Sequence, residues 1–410
     1  MTTSRGKNPR GSSTICLPIR KEVYDSIVED PEKFRAAVDQ AFSDMPELFP
    51  KEFAQGYTLK DSRLSRKLGM HLRRVECKAT QEAFTVRPSF VMPYMTALTD
   101  EVRKALYLRS FGVPFHALVE VFGRDAMYWY RLEVSLGRNS LVGTTLRQAD
   151  LPRNLSADEH HQTLDGDKVY VATTVGGGCC LGAAMSKTAD EVGLEEAYRV
   201  FASEAENVEA GYKPETVNAD GWAATHAAWR AMFPLVVVLR CFLHGWLKIR
   251  DRGKHLKEMF KTIGDKVWHA YRAEDKRTFR QRLRRLREWA QNNLKGVVLE
   301  QVEKLCSRGQ EYADAYDHER GHRTSNMLDR VMREMNRYFE DGQHLHGTVA
   351  SAEQHCRAWA LLYNFGPWSA ATAKANQGLM CPAERLNQHR YHDDWLENLL
   401  ISASLAGFRR

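Results

Sequence analysis

No C-x-x-C pair occurs among the eight cysteines of this 410-residue chain, and their spacing does not suit a small disulfide-bonded domain. Such usage points to a reducing, intracellular compartment, in this case the cytoplasm. Long apolar runs are missing too. The longest, Phe233 to Leu239, is closed by Arg240 and is far too short to cross a bilayer. The first twenty residues lack the apolar stretch of a secretory signal; polar, basic and rich in Ser and Gly, they read as a disordered arm. "GGGCCLG", residues 176 to 182, lacks the lysine and the spacing of a phosphate loop and reads as a hairpin turn, with Cys179 and Cys180 as small buried residues.

What is present is enough apolar sequence, 43% of the chain, for a substantial core and two or three domains. The net charge of +7 is unevenly spread. Trp246 to Arg308 holds 18 Lys and Arg against 8 Asp and Glu, an excess of +10 that leaves the remainder of the chain at −3. Within it, "RTFRQRLRRLREWAQ" sets Phe279, Leu283, Leu286 and Trp289 on one helical face, with arginines such as Arg284 and Arg285 on the others. The segment reads either as a solvated charged helix or as a surface for a polyanion such as DNA.

The chain divides into an arm (1–20), an N-terminal region (21–96), a helical region (97–150), a first α/β part (151–245), a basic helical segment (246–318) and a last part (319–410). Residues 21 to 60 are poorly periodic, and prolines in "MPELFPKEF" break any helix there. "MHLRRVECKATQEAFTVRPSFVMPY" reads as a β-hairpin turning at Thr80 to Glu82. Between 99 and 137, Gly112 ends one helix, Pro114 opens a second and Gly123 makes a tight turn. The third helix starts at Arg124 with Met127, Tyr130 and Val134 inward. This is a helix-turn-helix-like pattern, which would offer Arg124, Tyr128 and Arg131 to a DNA groove.

After Asp150 come three strands in a meander, "NLSADEHHQ", "KVYVATTV" and "CCLGAAMS". A helix follows with Leu194, Ala197, Tyr198, Phe201, Ala205 and Val208 on one face, then a strand in "ETVNADG", a helix from Trp222 to Met232 and a strand in "LVVVLRCFLH". This is the element order of a ribonuclease H-like α/β fold. Ligands in open α/β sheets gather at strand ends near the switch in strand order. Asp158 in the first strand and Asp220 at the end of the fourth fall there and are predicted to converge. Clustered carboxylates repel unless a cation joins them, and hard oxygen ligands suit Mg²⁺ or Mn²⁺. His160 and His161 follow Asp158, and strand alternation turns one of them to solvent.

A third acid sits in "RTSNMLDRVMREMNRYF", residues 323 to 339. Leu328, Val331, Met332, Met335 and Phe339 form its buried stripe, with Asp329, Arg333 and Asn336 beside it and Arg330, Glu334 and Arg337 further out. Asp329, three residues after Asn326, fits a capping-box variant, and it is also the candidate third ligand of a two-ion site.

The order Asp158, Asp220, "CFLH" (Cys241 to His244), a long helical insertion and "TSNMLDR" resembles the DDE-type transposases of bacterial insertion sequences, in their Mutator-like branch. "VNADGWAATHAAW", "AWALLYNFGPWS" and "RLNQHRYHDDWLENLLISASLAG" belong to the same resemblance, which covers roughly residues 90 to 405. It implies a ribonuclease H-like catalytic domain with a long all-α insertion spanning about Trp246 to His318, Asp158, Asp220 and Asp329 as catalytic metal ligands for two Mg²⁺ or Mn²⁺ ions, and Cys241 and His244 as a supporting pair. It further implies binding to terminal inverted repeats and target DNA, a homodimer or larger assembly, and a nucleoid location. Arg330, Arg333 and Arg337 would face phosphates. The family usually has Glu at the third position, so Asp329 is a departure with a shorter reach. Two rivals follow: a transposase-derived DNA-binding protein with impaired catalysis, and a zinc peptidase through "HERGH", His318 to His322, whose Gly321 argues for a loop.

Overall fold

The computed structural model describes residues 12–66, 68–341 and 345–408. The chain is mixed α/β with two sheets. The N-terminal sheet has the order β1-β4-β3-β2, built from β1 (Thr14–Leu17), β2 (Tyr57–Ser65), β3 (Met70–Cys77) and β4 (Ala83–Pro88). The expected hairpin is β3 and β4, in register at Arg74 and Thr85. Its outer partners correct the sequence reading. Residues 14 to 17 of the supposed arm pair in parallel with β4, because Ile15, Cys16 and Leu17 are apolar and fully buried; residues 1–11 lie outside the described residues. Residues 21 to 60 hold α1 (Lys21–Ile27) and α2 (Pro31–Asp44), the latter capped by Asp30 and opened by Pro31. The prolines of "MPELFPKEF" start short 3₁₀ turns instead of only breaking structure.

Helices α3 (Thr99–Ser110), α4 (Phe115–Phe122), α5 (Ala126–Leu136) and α6 (Leu141–Thr145) follow. The third helix begins later than expected: Arg124 takes a left-handed φ of 64° in the turn and Asp125 caps the helix. Its inner face differs in part: Val134 is buried and Tyr130 half-buried as expected, but Met127 is 51% exposed and Trp129, Leu132, Glu133 and Leu136 join the buried side. The cause is a partner invisible to local periodicity. α5 packs against α15 (Val349–Phe365) from the far end of the chain, and Arg109 of α3, Glu133 of α5, and Tyr338 and His355 further on form a buried hydrogen-bonded network between them.

The second sheet has the order β7-β6-β5-β8-β9, with β5 (Asn154–Leu164), β6 (Asp167–Gly176) and β7 (Cys179–Ser186) antiparallel and β8 (Thr216–Ala219) and β9 (Val237–Arg240) parallel to β5. Both meander turns use positive φ, at Asp165 and Gly166 and at Gly177 and Gly178, as tight hairpins require. Side-chain alternation splits the sheet between two hydrophobic clusters. Leu155, Ala157 and Val217 face α7 (Glu191–Val208) and α8 (Ala223–Met232); Leu164, Val171 and Cys180 face α15 and α14 (Asn326–Asp341). Cys241 follows β9 and caps α9 (Phe242–Gly253), so "CFLH" begins a helix and does not extend the strand.

From α9 the chain runs through α10 (Glu258–Tyr271), α11 (Lys276–Asn293), α12 (Gly296–Ser307) and α13 (Gly309–Ala313), whose apolar faces make a third cluster drawn wholly from this segment. Phe279, Leu283 and Leu286 lie inside as expected, joined by Ala290, while Trp289 is only partly buried. After α15, the short helices α16 (Ala370–Ala375) and α17 (Pro382–Asn387) lead to α18 (Trp395–Ser402), which packs on β1 and α3 and ties the N-terminal sheet to the core.

The α5–α15 contact is close enough to test. A Cβ on Gly137 would stand 1.9 Å from the Gln354 carbonyl oxygen. Gly137→Ala is expected to lower unfolding free energy by about 1–3 kcal/mol, as overpacking against a rigid backbone does, read from the urea midpoint. Gly253→Ala, whose Cβ would meet side chains at 3.4 Å or beyond, is the control and should be neutral.

Candidate active site

The strands themselves aim two acids at one place. Asn154, Leu155 and Ser156 of β5 pair in parallel with Thr216, Val217 and Asn218 of β8. Continued by two residues, that register sets Asp158 beside Asp220. By alternation Asp158 shares a face with His160 and Gln162, toward α14, while Glu159 points the other way to the Tyr198 hydroxyl (2.7 Å) and the Thr225 hydroxyl (2.8 Å). Asp220 lies just past β8, where its carboxylate accepts the Trp222 amide at 2.7 Å and its carbonyl meets His226 Nε2 at 2.7 Å.

Helix α14 brings the third acid. It is clasped to β5 by His160 Nε2 and Asn336 Oδ1, 2.6 Å apart. The helix begins at Asn326 and the Asp329 amide donates to the Ser325 carbonyl at 2.7 Å, so of the two possible caps, Ser325 and Asn326, Ser325 is the one used. The Ser325 hydroxyl donates to the Asp329 carboxylate at 2.9 and 3.0 Å. Ser325 in turn rests on Cys241, whose sulfur accepts the Ser325 amide at 3.2 Å and lies 3.3 Å from the hydroxyl. Asp329 is thereby fixed to the corner between β9 and α9, and the contact of Ser325 with the acid, as distinct from its place at the helix cap, is what sequence reasoning missed. Its only signal was a serine four places before an acid.

Electrostatics tie these groups together. Burial raises the Asp158 carboxyl to about 6, helped by the negative charges of Asp220 and Asp329 and opposed by the Glu159 amide and by His244. Glu159 rises to about 7, chiefly through burial. His244 is raised to about 9, first by its pairing with the Cys241 thiol and then by the charges of Asp158 and Asp329. Burial pushes the Cys241 thiol up, but the paired His244 more than offsets it, and the thiol lies below its usual range. The C-x-x-H pair thus lies beside the acids with the thiol shifted down and the imidazole shifted up, each by the other, and His244 Nδ1 is buried and lacks a hydrogen-bond partner.

The donor set suits a hard divalent ion in kind: partly buried carboxylates that repel one another. The spacing is open, since among the described residues no three His, Cys, Asp or Glu side chains close on a single point. Asp158, Asp220 and Asp329 are thus electrostatic neighbours without being a closed ligand shell. "HERGH" is a turn, not a helix, so His318 and His322 do not share a helical face; His322 meets the Asn154 backbone instead.

The other candidate residues are spread over three elements. Arg124 lies over the Tyr128 ring at 5.4 Å, beside exposed Arg131. Arg284 and Arg285 are exposed on α11, with Arg284 3.7 Å from Glu288. On α14, Arg330 and Arg333 are exposed, and Arg337 pairs with Glu334.

Asp158 makes a sign-definite prediction. Its folded pKa near 6 lies above that of a free carboxylate, so its ionisation opposes folding fully above pH 6 and not at all below about pH 4. In EDTA, Asp158→Asn should stabilise the protein at pH 7.5 by on the order of 1–3 kcal/mol, a gain that fades toward pH 4; equal melting curves at pH 7.5 would contradict the buried, repelled carboxylate. No protein-family model matches this chain and no curated protein does, so its function rests on the chemistry of this site.

Proposed function

We propose that the chain is a DDE-type transposase of a bacterial insertion sequence, Mutator-like, with a ribonuclease H-like catalytic domain interrupted by the helices of residues 246–318. The observation that carries the reading is the β5–β8 register, which puts Asp158 beside Asp220 on the face covered by the helix bearing Asp329. An antiparallel meander continued by two parallel strands, with helices on both faces, supports the fold. The separate apolar cluster of the basic segment supports an insertion.

The reaction is attack on a phosphodiester, first by water and then by a DNA 3′-hydroxyl, in line. Asp158, Asp220 and Asp329 would hold Mg²⁺ or Mn²⁺, which when bound activates the attacking oxygen and offsets charge on the phosphate. The chain's own residues do the rest. Ser325 holds the Asp329 carboxylate in one orientation, the His244 cation limits the negative charge that the phosphate meets, and His160 with Asn336 keeps α14 against the strand. Exposed Arg330 and Arg333 on α14, Arg284 and Arg285 on α11, and Arg124 and Arg131 by α5 offer charge to the DNA backbone. Double-stranded terminal repeats and target DNA are the partners, in a dimer or larger assembly, since joining needs two ends at once.

A second reading is a transposase-derived DNA-binding protein that no longer cuts. It is favoured by the open spacing of the acids and by aspartate where the family has glutamate. The two separate in one assay with DNA carrying the ends that flank the gene. In Mg²⁺ or Mn²⁺ the wild type should join ends, while Asp158→Ala and Asp220→Ala bind equally well and join about 100-fold less or worse, as loss of a charge-stabilising group does. Binding without joining by the wild type selects the second reading, and joining by both variants at the wild-type rate rejects the acid site.

A further inference from the structure

One exposed cluster is left unused by this account. His161 of β5 and Tyr170 of β6 are directly paired across the strands, and both point to the α8 side of the sheet. Trp222 closes on them from the start of α8. The three rings meet edge to face, with centroids 5.1 Å (His161–Tyr170), 5.9 Å (Tyr170–Trp222) and 6.1 Å (His161–Trp222) apart. Lys168, on the same face, lies over the Tyr170 ring at 5.2 Å. His161 and Lys168 are exposed, and Tyr170 and Trp222 half-buried. Elsewhere on this side of the sheet, the aromatic rings Tyr198 and Phe201 of α7 and Trp229 of α8 are packed fully into the core.

The cluster's place follows from the backbone. β8 stops at Ala219, so β5 beyond Ala157 loses that neighbour and the sheet opens at Asp220. The Trp222 amide is held by the Asp220 carboxylate, which fixes the ring two residues from a candidate catalytic acid. The negative charge of Asp220 reaches both Asp158 on one side and His161 on the other. A partly exposed cluster of aromatic rings beside Asp220, set edge to face and with a lysine next to it, has the make-up of a single-stranded nucleic-acid contact: a ring face for a base and a cation for the backbone. Duplex DNA keeps its bases stacked inside and has no use for such rings.

Resting on the transposase reading, we propose that His161, Tyr170 and Trp222, with Lys168, form a stacking platform for an unpaired base of DNA next to the cut site. The platform holds a frayed or flipped nucleotide on the α8 side of the sheet, at the open strand end beside Asp220. It gives no sequence specificity, because every base has a π-face.

The test uses the full chain in EDTA, so that no cutting occurs, with two probes: a short single-stranded thymidine oligomer carrying one central 2-aminopurine, and a blunt duplex. The wild type should bind the single strand and quench the 2-aminopurine as it stacks. Trp222→Ala and Tyr170→Ala should each weaken single-strand binding by about 5- to 150-fold, the range for one stacked base, and remove the quench. Trp222→Phe should keep both, and duplex binding should stay within twofold for all three. Variants that bind and quench like wild type overturn the platform, as does an equal loss of single-strand and duplex binding, which would mark the rings as structural. A wild type that binds duplex but neither binds nor quenches the single strand overturns the platform and leaves the transposase reading standing. A wild type that binds neither probe removes both.

Discussion

Two partly buried carboxylates, one on β5 and one just past the end of the parallel strand beside it, brought together by the strand register, are the constraint on which this protein's site depends. Asp158 and Asp220 lie on one face because β5 and β8 pair with a fixed offset, and a slip of one residue would turn Asp158 to the opposite face. The strands around them are locked by apolar packing on both sides of the sheet, which leaves the repulsion nowhere to relax. The raised Asp158 carboxyl is the physical signature of that arrangement. Stability is given up locally, as is common where a site must attract a cation or a proton.

Much of the rest serves to deliver Asp329 to the same place. Its near end is tethered through Ser325 to Cys241, and its helix is clasped by His160 and Asn336. The helix's far end enters the buried network of Arg109, Glu133, Tyr338 and His355. Arg109 and Glu133 are buried at 2% and 0% exposure, so each charge needs the other, and removing one partner of such a pair typically costs about 3–5 kcal/mol. The network makes the helical region of residues 97–150 a structural partner of α14 and not a free appendage. Movement of that region would be felt by the helix that carries Asp329.

The legible parts of the sequence were those set by local pattern. The meander with its glycine turns, the α7 stripe, the inner face of α11 and the α14 stripe all follow from alternation or helical spacing. The fate of the histidine pair did too, with His160 buried and His161 exposed. What escaped was set by distant partners. β1 is a strand only because β4 lies beside it, and the inner face of α5 is chosen by α15. At the site, Asp158, Asp220 and Asp329 could be placed by topology, but their open spacing could not, because it depends on where Ser325 and Cys241 hold the Asp329 side chain. Glu159, raised to about 7 between Tyr198 and Thr225, carried no sequence signal beyond being next to Asp158.

The most direct measurement of the shared site is the titration of the Asp158 carboxyl carbon by NMR in selectively labelled protein without metal. The account predicts a midpoint near 6 in the wild type and a lower one in both Asp220→Asn and Asp329→Asn, because each removes a neighbouring negative charge. A midpoint in the ordinary carboxylate range that neither variant moves would contradict it, and the three aspartates would then be unrelated surface acids.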